Sequence, residues 1–571
     1  MTNKVEEFKC TEDGVFCEGN KICDYLKITG LIKTQAEKTW KVRLEFKDMA
    51  GEKCTIDVDN DKFPSMNDFI KELLRKGLCP DIDNKKLKQY LMRILSKRNF
   101  LNHYTEVSQT GWINNTDYIC PSFYISNSKN LYIFNESDKR EFGYEKKGSL
   151  KEWKTQIAEP CKNNSVLTFA LCAALAPVLL RYFPEINTTI FHLVGKSSIG
   201  KTTALKVAAS VWGYPKKYIK QWRATGNAQE SIAEGYNDGL LILDEIGQAE
   251  DNEIQNTVYM LGNEKGKARS KADASLRKTK SWRLLSLSSG EIGISEKIES
   301  AGKRVHGGVL VRCVDIEAQS SQEMGIFEDL RNFSNGNEFS TVIAERASKY
   351  YGVAAEYFVN GLKDFNEHTI RNIFDNSVKQ LKESLNLQDT KEGAILRVLN
   401  TFALVNTAGI LACDENIGVL PHGFNDIDKD ICSILQRSLP NIYSQENEES
   451  EMLEDFKDRL KTNEFHFMLA DLVNDISVEK IRKIRTQQEE PRTQIFGYRI
   501  KDADVYYILP SIFKKEFCKG RNERTLKRIL LKKNMLKELP EKENGKIKNR
   551  NPKVIVNNEK EKRYLEVHIT E

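Results

Sequence analysis

A chain of 571 residues, 40% hydrophobic and 30% charged with only 13 prolines, is too long for one core and too apolar for disorder, so three or four helix-rich domains are expected. The net charge of +5 is too small to announce nucleic acid by itself, which makes the distribution of charge the informative quantity. Twelve cysteines form no Cys-x-x-Cys pair, and the closest group, Cys10, Cys17 and Cys23, has gaps that fit no common zinc or disulfide pattern.

The N-terminal MTNKVEEFKC lacks the apolar core of a signal peptide, so a cytoplasmic protein is expected. In TWKVRLEFKD, Trp40, Val42, Leu44 and Phe46 alternate with polar residues, and Cys54, Ile56 and Val58 do the same beyond Gly51. That pattern predicts a hairpin. Met66, Phe69, Ile70, Leu73 and Leu74 then follow helical spacing. Residues 1–150 are therefore expected to form an α+β domain that binds DNA or forms a ring. The longest apolar run, Val166 to Leu180, falls short of a bilayer span and contains Pro177, so it predicts a buried helix and no membrane contact.

Between 151 and 325 short apolar strands alternate with helices, the pattern of parallel α/β architecture. FHLVGKSSIGKTTALKVA places Gly195, Lys196, Ser197, Ser198, Ile199, Gly200, Lys201, Thr202 and Thr203 between a strand and a helix, as G-x-x-x-x-G-K-T. Glycines let the backbone curl so that its N–H groups meet phosphate oxygens, and the helix adds its positive end. Lys201 is then the β- and γ-phosphate ligand and Thr202 a Mg²⁺ ligand, which makes ATP and Mg²⁺ the expected cofactors. About 40 residues on, GLLILDE has the form of a buried parallel strand that delivers two carboxylates at its ligand-binding end. Asp244 is the second Mg²⁺ candidate and Glu245 the base that activates water. WRLLSLSSGE supplies a third strand, ending in Ser288 or Ser289; Ser289 is the candidate sensor of the γ-phosphate.

The intervening EKGKARSKADASLRKTKSWR holds eight basic residues against two acids. Lys267, Arg269 and Lys271 precede a short turn and Arg277, Lys278 and Lys280 follow it, predicting a basic hairpin that meets a phosphate backbone. Residues 326–444 read as a helical lid region. QENEESEMLED at 445–455 reads as a solvated linker. From Lys514 to the end the chain carries 18 Lys and Arg against 9 Asp and Glu, so the remainder is net acidic. RNERTLKRILLKKNML predicts a helix and VIVNNEKEKRYLEVHI a hairpin wing, giving 458–571 the outline of a basic winged helix.

The series TGNAQESIAEGYNDGLLILDEI, VYMLGNEKGKARSK and SWRLLSLSSGE, with Gly111-Trp112 upstream, resembles the uncharacterised-domain family of phage and mobile-island primase-helicase proteins, an AAA+ group. It is similar in particular to the MCM-like self-loading replicative helicases of staphylococcal cassette chromosomes and pathogenicity islands. The resemblance implies an α/β fold: an AAA+ P-loop ATPase core with an α+β N-terminal domain, a helical lid and a C-terminal winged-helix-like domain. It also implies a hexameric ring on single-stranded, forked or origin DNA, each ATP being completed by an arginine of the neighbouring subunit. GVLVRCVDIEA is similar to the segment carrying that arginine, which nominates Arg312, with Arg304 as runner-up and an ion pair of Arg312 with Asp315 as the plainer alternative. RVLNTFALVNTAGILA is similar to the lid segment with a second sensor arginine, Arg397. The function expected is an ATP-dependent DNA helicase for replication of a mobile element. An origin initiator, a helicase loader or an ATP-switched scaffold are the alternatives.

Overall fold

The computed structural model describes residues 7–34, 38–63, 65–79, 82–97, 101–126, 130–134, 142–249, 253–267, 279–300, 309, 312–320, 324–388, 390, 393–473, 481–486, 494–500, 503–519, 523–543, 546–557 and 562–569. The fold is mixed α/β, and the chain divides into two units, Met1–Ile442 and Tyr443–Glu571.

The first unit is organised by five short strands: β1 (Thr189–Val194), β2 (Lys220–Gln221), β3 (Leu240–Asp244), β4 (Leu285–Gly290) and β5 (Cys313–Glu317). They pair in the order β2-β3-β4-β1-β5, every pair parallel. Because both faces of a parallel sheet are covered, its central strands are rich in buried apolar residues; Leu240 to Leu243 and Phe191 are all buried. The order places β1 between β4 and β5, so the loop after β1 opens where the connections diverge.

The helix that follows that loop, α1 (Lys201–Trp212), buries almost its whole surface. So does Ser165–Leu175, in which all eleven residues are buried. Leu167, Phe169, Leu171 and Leu175 there each contribute about 1.5–3 kcal/mol by leaving water. At Ala176 this helix tightens into a 3₁₀ segment ending at Tyr182, with Pro177 in its first turn, as expected where proline removes a backbone donor. Two helices, Ser165–Tyr182 and Gly393–Cys413, are long and apolar enough to cross a membrane, but 89% and 72% of those windows are buried in the fold. Phe169 and Phe402 from the two lie 5.6 Å apart with their rings tilted, and both meet Phe191 of β1 edge-on.

Ahead of this core, the expected hairpin forms from Trp40–Lys47 and Lys53–Asp59, antiparallel with Phe46 opposite Cys54. It continues through Leu26–Thr34 and Asn102–Val107 to Leu131–Phe134 as a five-stranded mixed sheet. Helices Met66–Arg75 and Asn84–Ser96 pack Phe69, Leu73, Leu87 and Leu91 against Val42, Leu44 and Phe46. Trp40 departs from its alternating partners: it is 42% exposed, edge-on to His103, at the strand end.

Two expectations for the C-terminal part are corrected. Residues 445–455 are no linker but lie within one helix, Phe424–Thr462, because glutamates are good helix formers; Met452 and Leu453 of the stretch are buried. The second unit carries an eight-stranded sheet and the helix Glu523–Lys532, and the expected wing forms only in part: Lys553–Val556 turns back antiparallel onto Lys562–Arg563, but the rest of the returning arm leaves it. Lys553–Val556 pairs on its other side with Ile481–Thr486, while Leu565–His568 pairs with Val505–Ile508, so that four strands lie between it and Lys553–Val556 in the sheet order. Glu566 explains the second placement: it meets Arg482 at 2.9 Å with both side chains fully buried, and a buried charge demands such a partner.

Candidate functional site

The carboxyl ends of β1, β3 and β4 surround a cavity of about 560 Å³. Its lining combines Ser197, Ser198, Gly200, Lys201, Thr202 and Thr203 from the loop and α1, Asp244 to Gln248 at and beyond the end of β3, and Ser289 to Ile292 at and beyond the end of β4. Asn337 and Ser340 of α3 (Gly336–Ala347) complete it. The three stretches singled out from the sequence thus converge on one space.

The loop's shape follows from its sequence. Gly200 has φ of +107°, and a Cβ there would lie 2.8 Å from the Phe327 ring, so no other residue fits. Ser198 is also left-handed, with φ of +63°. Ile199 donates nothing to the cavity; its carbonyl accepts from the Ile326 N–H at 3.0 Å, and its side chain packs over Gly195. Gly325, with φ of +67°, brings the segment after β5 within 2.4 Å of that same carbonyl, measured from an added Cβ. The sequence reading did not single out Gly325, whose role rests on a contact between distant segments. The loop leads into the amino end of α1, whose free N–H groups and dipole favour an anion.

Lys201 is buried, and its Nζ donates to the carbonyls of Gly195 and Lys196 at 2.6 Å each. Burial lowers its pKa, against the opposing charges of Glu291, Asp244 and Glu317. Thr202 is exposed at the rim, whereas Thr203 is buried and its hydroxyl lies 2.5 Å from that of Ser340. Ser289 donates to Asp244 Oδ1. Alternation along β4 decides between the two serines: Ser288 points to the other face, where it meets His192 and Trp222. Glu245 adopts φ of +56° and ψ of +66°, a left-handed conformation that costs roughly 1–2 kcal/mol outside glycine. Its N–H bonds Asp244 Oδ1 at 3.0 Å, and its carboxylate accepts from Gln248. Strain of this kind persists where the surroundings force it, commonly at sites of function. Glu291, Asn337, Ser340 and Gln248 are lining residues that sequence reasoning missed; Glu291 alone had a signal, at the end of the quoted third strand.

Arg312 lies elsewhere. It precedes β5, at the amino end of the sheet and opposite the cavity; its guanidinium sits 5.4 Å over the Tyr259 ring and donates to Asn263 at 3.2 Å. Asp315 accepts from the Ile294 N–H. Arg304 is outside the described residues. Arg397 is exposed in the first turns of Gly393–Cys413 and is not part of the cavity wall.

The basic segment has an antiparallel base. Lys265 bridges Ser281, the Gly266 N–H bonds the Lys280 carbonyl at 2.9 Å, and the Trp282 N–H bonds the Glu264 carbonyl at 3.1 Å. The base leans on helix α2 (Gly226–Gly235): the Lys267 N–H bonds Glu230, and Lys280 Nζ bonds Ser231 at 2.6 Å with Glu234 3.5 Å away. Arg269, Lys271, Arg277 and Lys278 fall outside the described residues.

Residues 4–281, just under half of the chain, match a family model described as a domain of unknown function, DUF927. No curated protein matches the chain. Among solved structures, one described as SCCmec type IV Cch, an active helicase, is similar at a TM-score of 0.66 and 15% identity, covering 100% of this chain and 98% of its own. That likeness shows a shared fold over the whole length. The structure of NtrX from Brucella abortus in complex with ADP covers 42% of this chain and 47% of its own at 13% identity, but its TM-score of 0.17 is too low to indicate a common fold.

Proposed function

We propose that this chain is an AAA+ P-loop ATPase that works as a ring-forming DNA helicase in the replication of a mobile genetic element. The observation that carries the reading is the single cavity in which Lys201, Thr202, Asp244, Glu245 and Ser289 meet at the carboxyl ends of parallel strands. Cradling backbone, a buried lysine, a hydroxyl and adjacent carboxylates are the donor set that phosphoryl transfer needs. They fit a nucleoside triphosphate with Mg²⁺, which Thr202 and Asp244 would hold and which would neutralise phosphate charge. Glu245 orients and deprotonates the attacking water, held by its strained backbone and by Gln248. Lys201 stabilises charge on the phosphates.

Unwinding, ring formation and DNA contact extend that reading. Three features support them: the whole-length fold likeness to a protein described as an active helicase, the basic segment on an antiparallel base beside α2, and an arginine remote from its own cavity. Arg312 at the amino end of β5 suits an arginine that serves the ATP of a neighbouring subunit. Forked DNA, with and without ATP, is the deciding substrate. Strand separation that requires ATP supports the helicase; DNA-stimulated hydrolysis without separation selects an initiator or loader, and hydrolysis indifferent to DNA selects a scaffold.

A further inference from the structure

Beneath the cavity a row of polar side chains crosses the core sheet. In the parallel register His192 of β1 stands beside Ser288 of β4 on one side and Asp315 of β5 on the other, so the three project from the same face. His192 is fully buried. Its Nε2 lies 3.0 Å from the Ile292 carbonyl oxygen and its Nδ1 3.0 Å from Ser288 Oγ. A carbonyl only accepts, so Nε2 carries the proton and Nδ1 accepts from the Ser288 hydroxyl. Ser288 Oγ in turn accepts from Trp222 Nε1 at 2.7 Å. Both ring nitrogens are used by a neutral imidazole, in keeping with burial, which lowers the pKa of His192 against the pull of Asp315.

The ring's upper edge meets the cavity wall from behind. A Cβ on Gly290 would come within 2.8 Å of His192 Nε2 and 2.6 Å of Ile246 Cγ2. His192, Gly290 and Ile246 therefore form a tight stack between the turn after β4 and the residue that follows Glu245. Ser289, Gly290, Glu291 and Ile292 all face the cavity, while His192 does not. Glu291 in this turn is the foremost charge favouring protonated Lys201.

Resting on the nucleotide-hydrolysing reading of the cavity, we infer that His192 is a positioning residue. By donating to the Ile292 carbonyl it holds the turn 289–292 at the distance from Asp244, Glu245 and Lys201 that cleavage of the γ-phosphate requires. It acts without touching the nucleotide, so its loss affects turnover far more than binding.

Three variants of the full chain separate this role from packing. Glutamine can reach with its amide N–H to where Nε2 donates; asparagine reaches only to where Nδ1 accepts; leucine fills the space and does neither. The expected result is that His192→Leu and His192→Asn lose about 30-fold or more in kcat for ATP with ATP affinity within about threefold of the parent, while His192→Gln recovers to within about threefold. The inference is overturned if His192→Leu turns over at the parental rate, or if glutamine and asparagine give equal kcat. It is also overturned if kcat, ATP affinity and Tm fall together in all three. Where leucine prevents folding, the glutamine to asparagine comparison decides alone. A parental chain that hydrolyses no ATP, with Lys201→Ala leaving ATP binding unchanged, overturns the ATPase reading itself and this inference with it.

Discussion

Lys201 and Glu245 occupy one cavity but different chemistry, and their substitution separates the two. Lys201 is buried against loop carbonyls at the start of α1, where the proposed reading gives it the phosphates; Glu245 stands at the end of β3 beside Gln248, where the same reading gives it the attacking water. Lys201→Ala is expected to weaken ATP binding about tenfold or more, close to 1.4 kcal/mol for each factor of ten. Glu245→Gln is expected to keep ATP bound while hydrolysis falls about 100-fold or more. Nucleotide titration alongside phosphate release measures both, and equal loss of binding in the two variants sinks the role given to Glu245. The neighbouring serines carry the same lesson at finer grain. Adjacent in sequence, they project to opposite faces of β4, Ser289 to Asp244 and Ser288 to His192.

Elements were legible where a period or a motif spoke through local residues. Strands β1, β3 and β4, the helix after the loop and the hairpin at Trp40 lie where alternation and apolar runs put them, because burial on both faces or on one leaves a direct imprint on sequence; the two-residue, polar β2 left none. The segment 445–455 misled because charge reports solvent exposure of a face and says little about helix or coil: glutamate is compatible with both. Of the wing expected at 554–569, the turn back onto Lys562–Arg563 was legible, but the placement of Leu565–His568 was not, because strand pairing is a long-range choice and Glu566 there meets the buried Arg482. Asn337 and Ser340 reach the cavity from beyond β5, and Gly325 reaches the loop at Ile199; no spacing announces such approaches. The basic segment is tested as an element. Replacing Lys267, Arg269 and Lys271 together by alanine leaves the ATP cavity untouched, so basal hydrolysis should survive while unwinding falls. The slope of log affinity for DNA against log salt should become shallower by about one unit for each DNA phosphate that no longer has a cation beside it. Parental unwinding by the triple variant would falsify the assignment.

For the whole molecule, the proposed function makes activity a property of neighbours, since Arg312 lies on the far side of the sheet from its own subunit's cavity. Arg312→Ala subunits mixed with Glu245→Gln subunits are expected to regain ATPase, since some interfaces then pair an intact base with an intact arginine; a mixture no more active than either parent excludes Arg312 as the shared residue. The pairing of the two most apolar helices bears on how such a subunit is made. Gly409 lies so close that a Cβ there would sit 2.6 Å from Cys172 Sγ, yet more than two hundred residues of chain separate the partners. Ser165–Leu175 leaves the ribosome long before Gly393–Cys413 exists to cover it, at synthesis rates that make the wait tens of seconds or about that order. During that interval the loop after β1 has been made but its domain cannot close, and the exposed greasy segment is a natural client for chaperones. A chain stopped at residue 390 should accordingly collect in the insoluble fraction, whereas one stopped at Ile442, the end of the first unit, should stay in solution and bind ATP. Premature termination of translation then yields aggregates rather than inhibitory fragments that retain a working nucleotide loop.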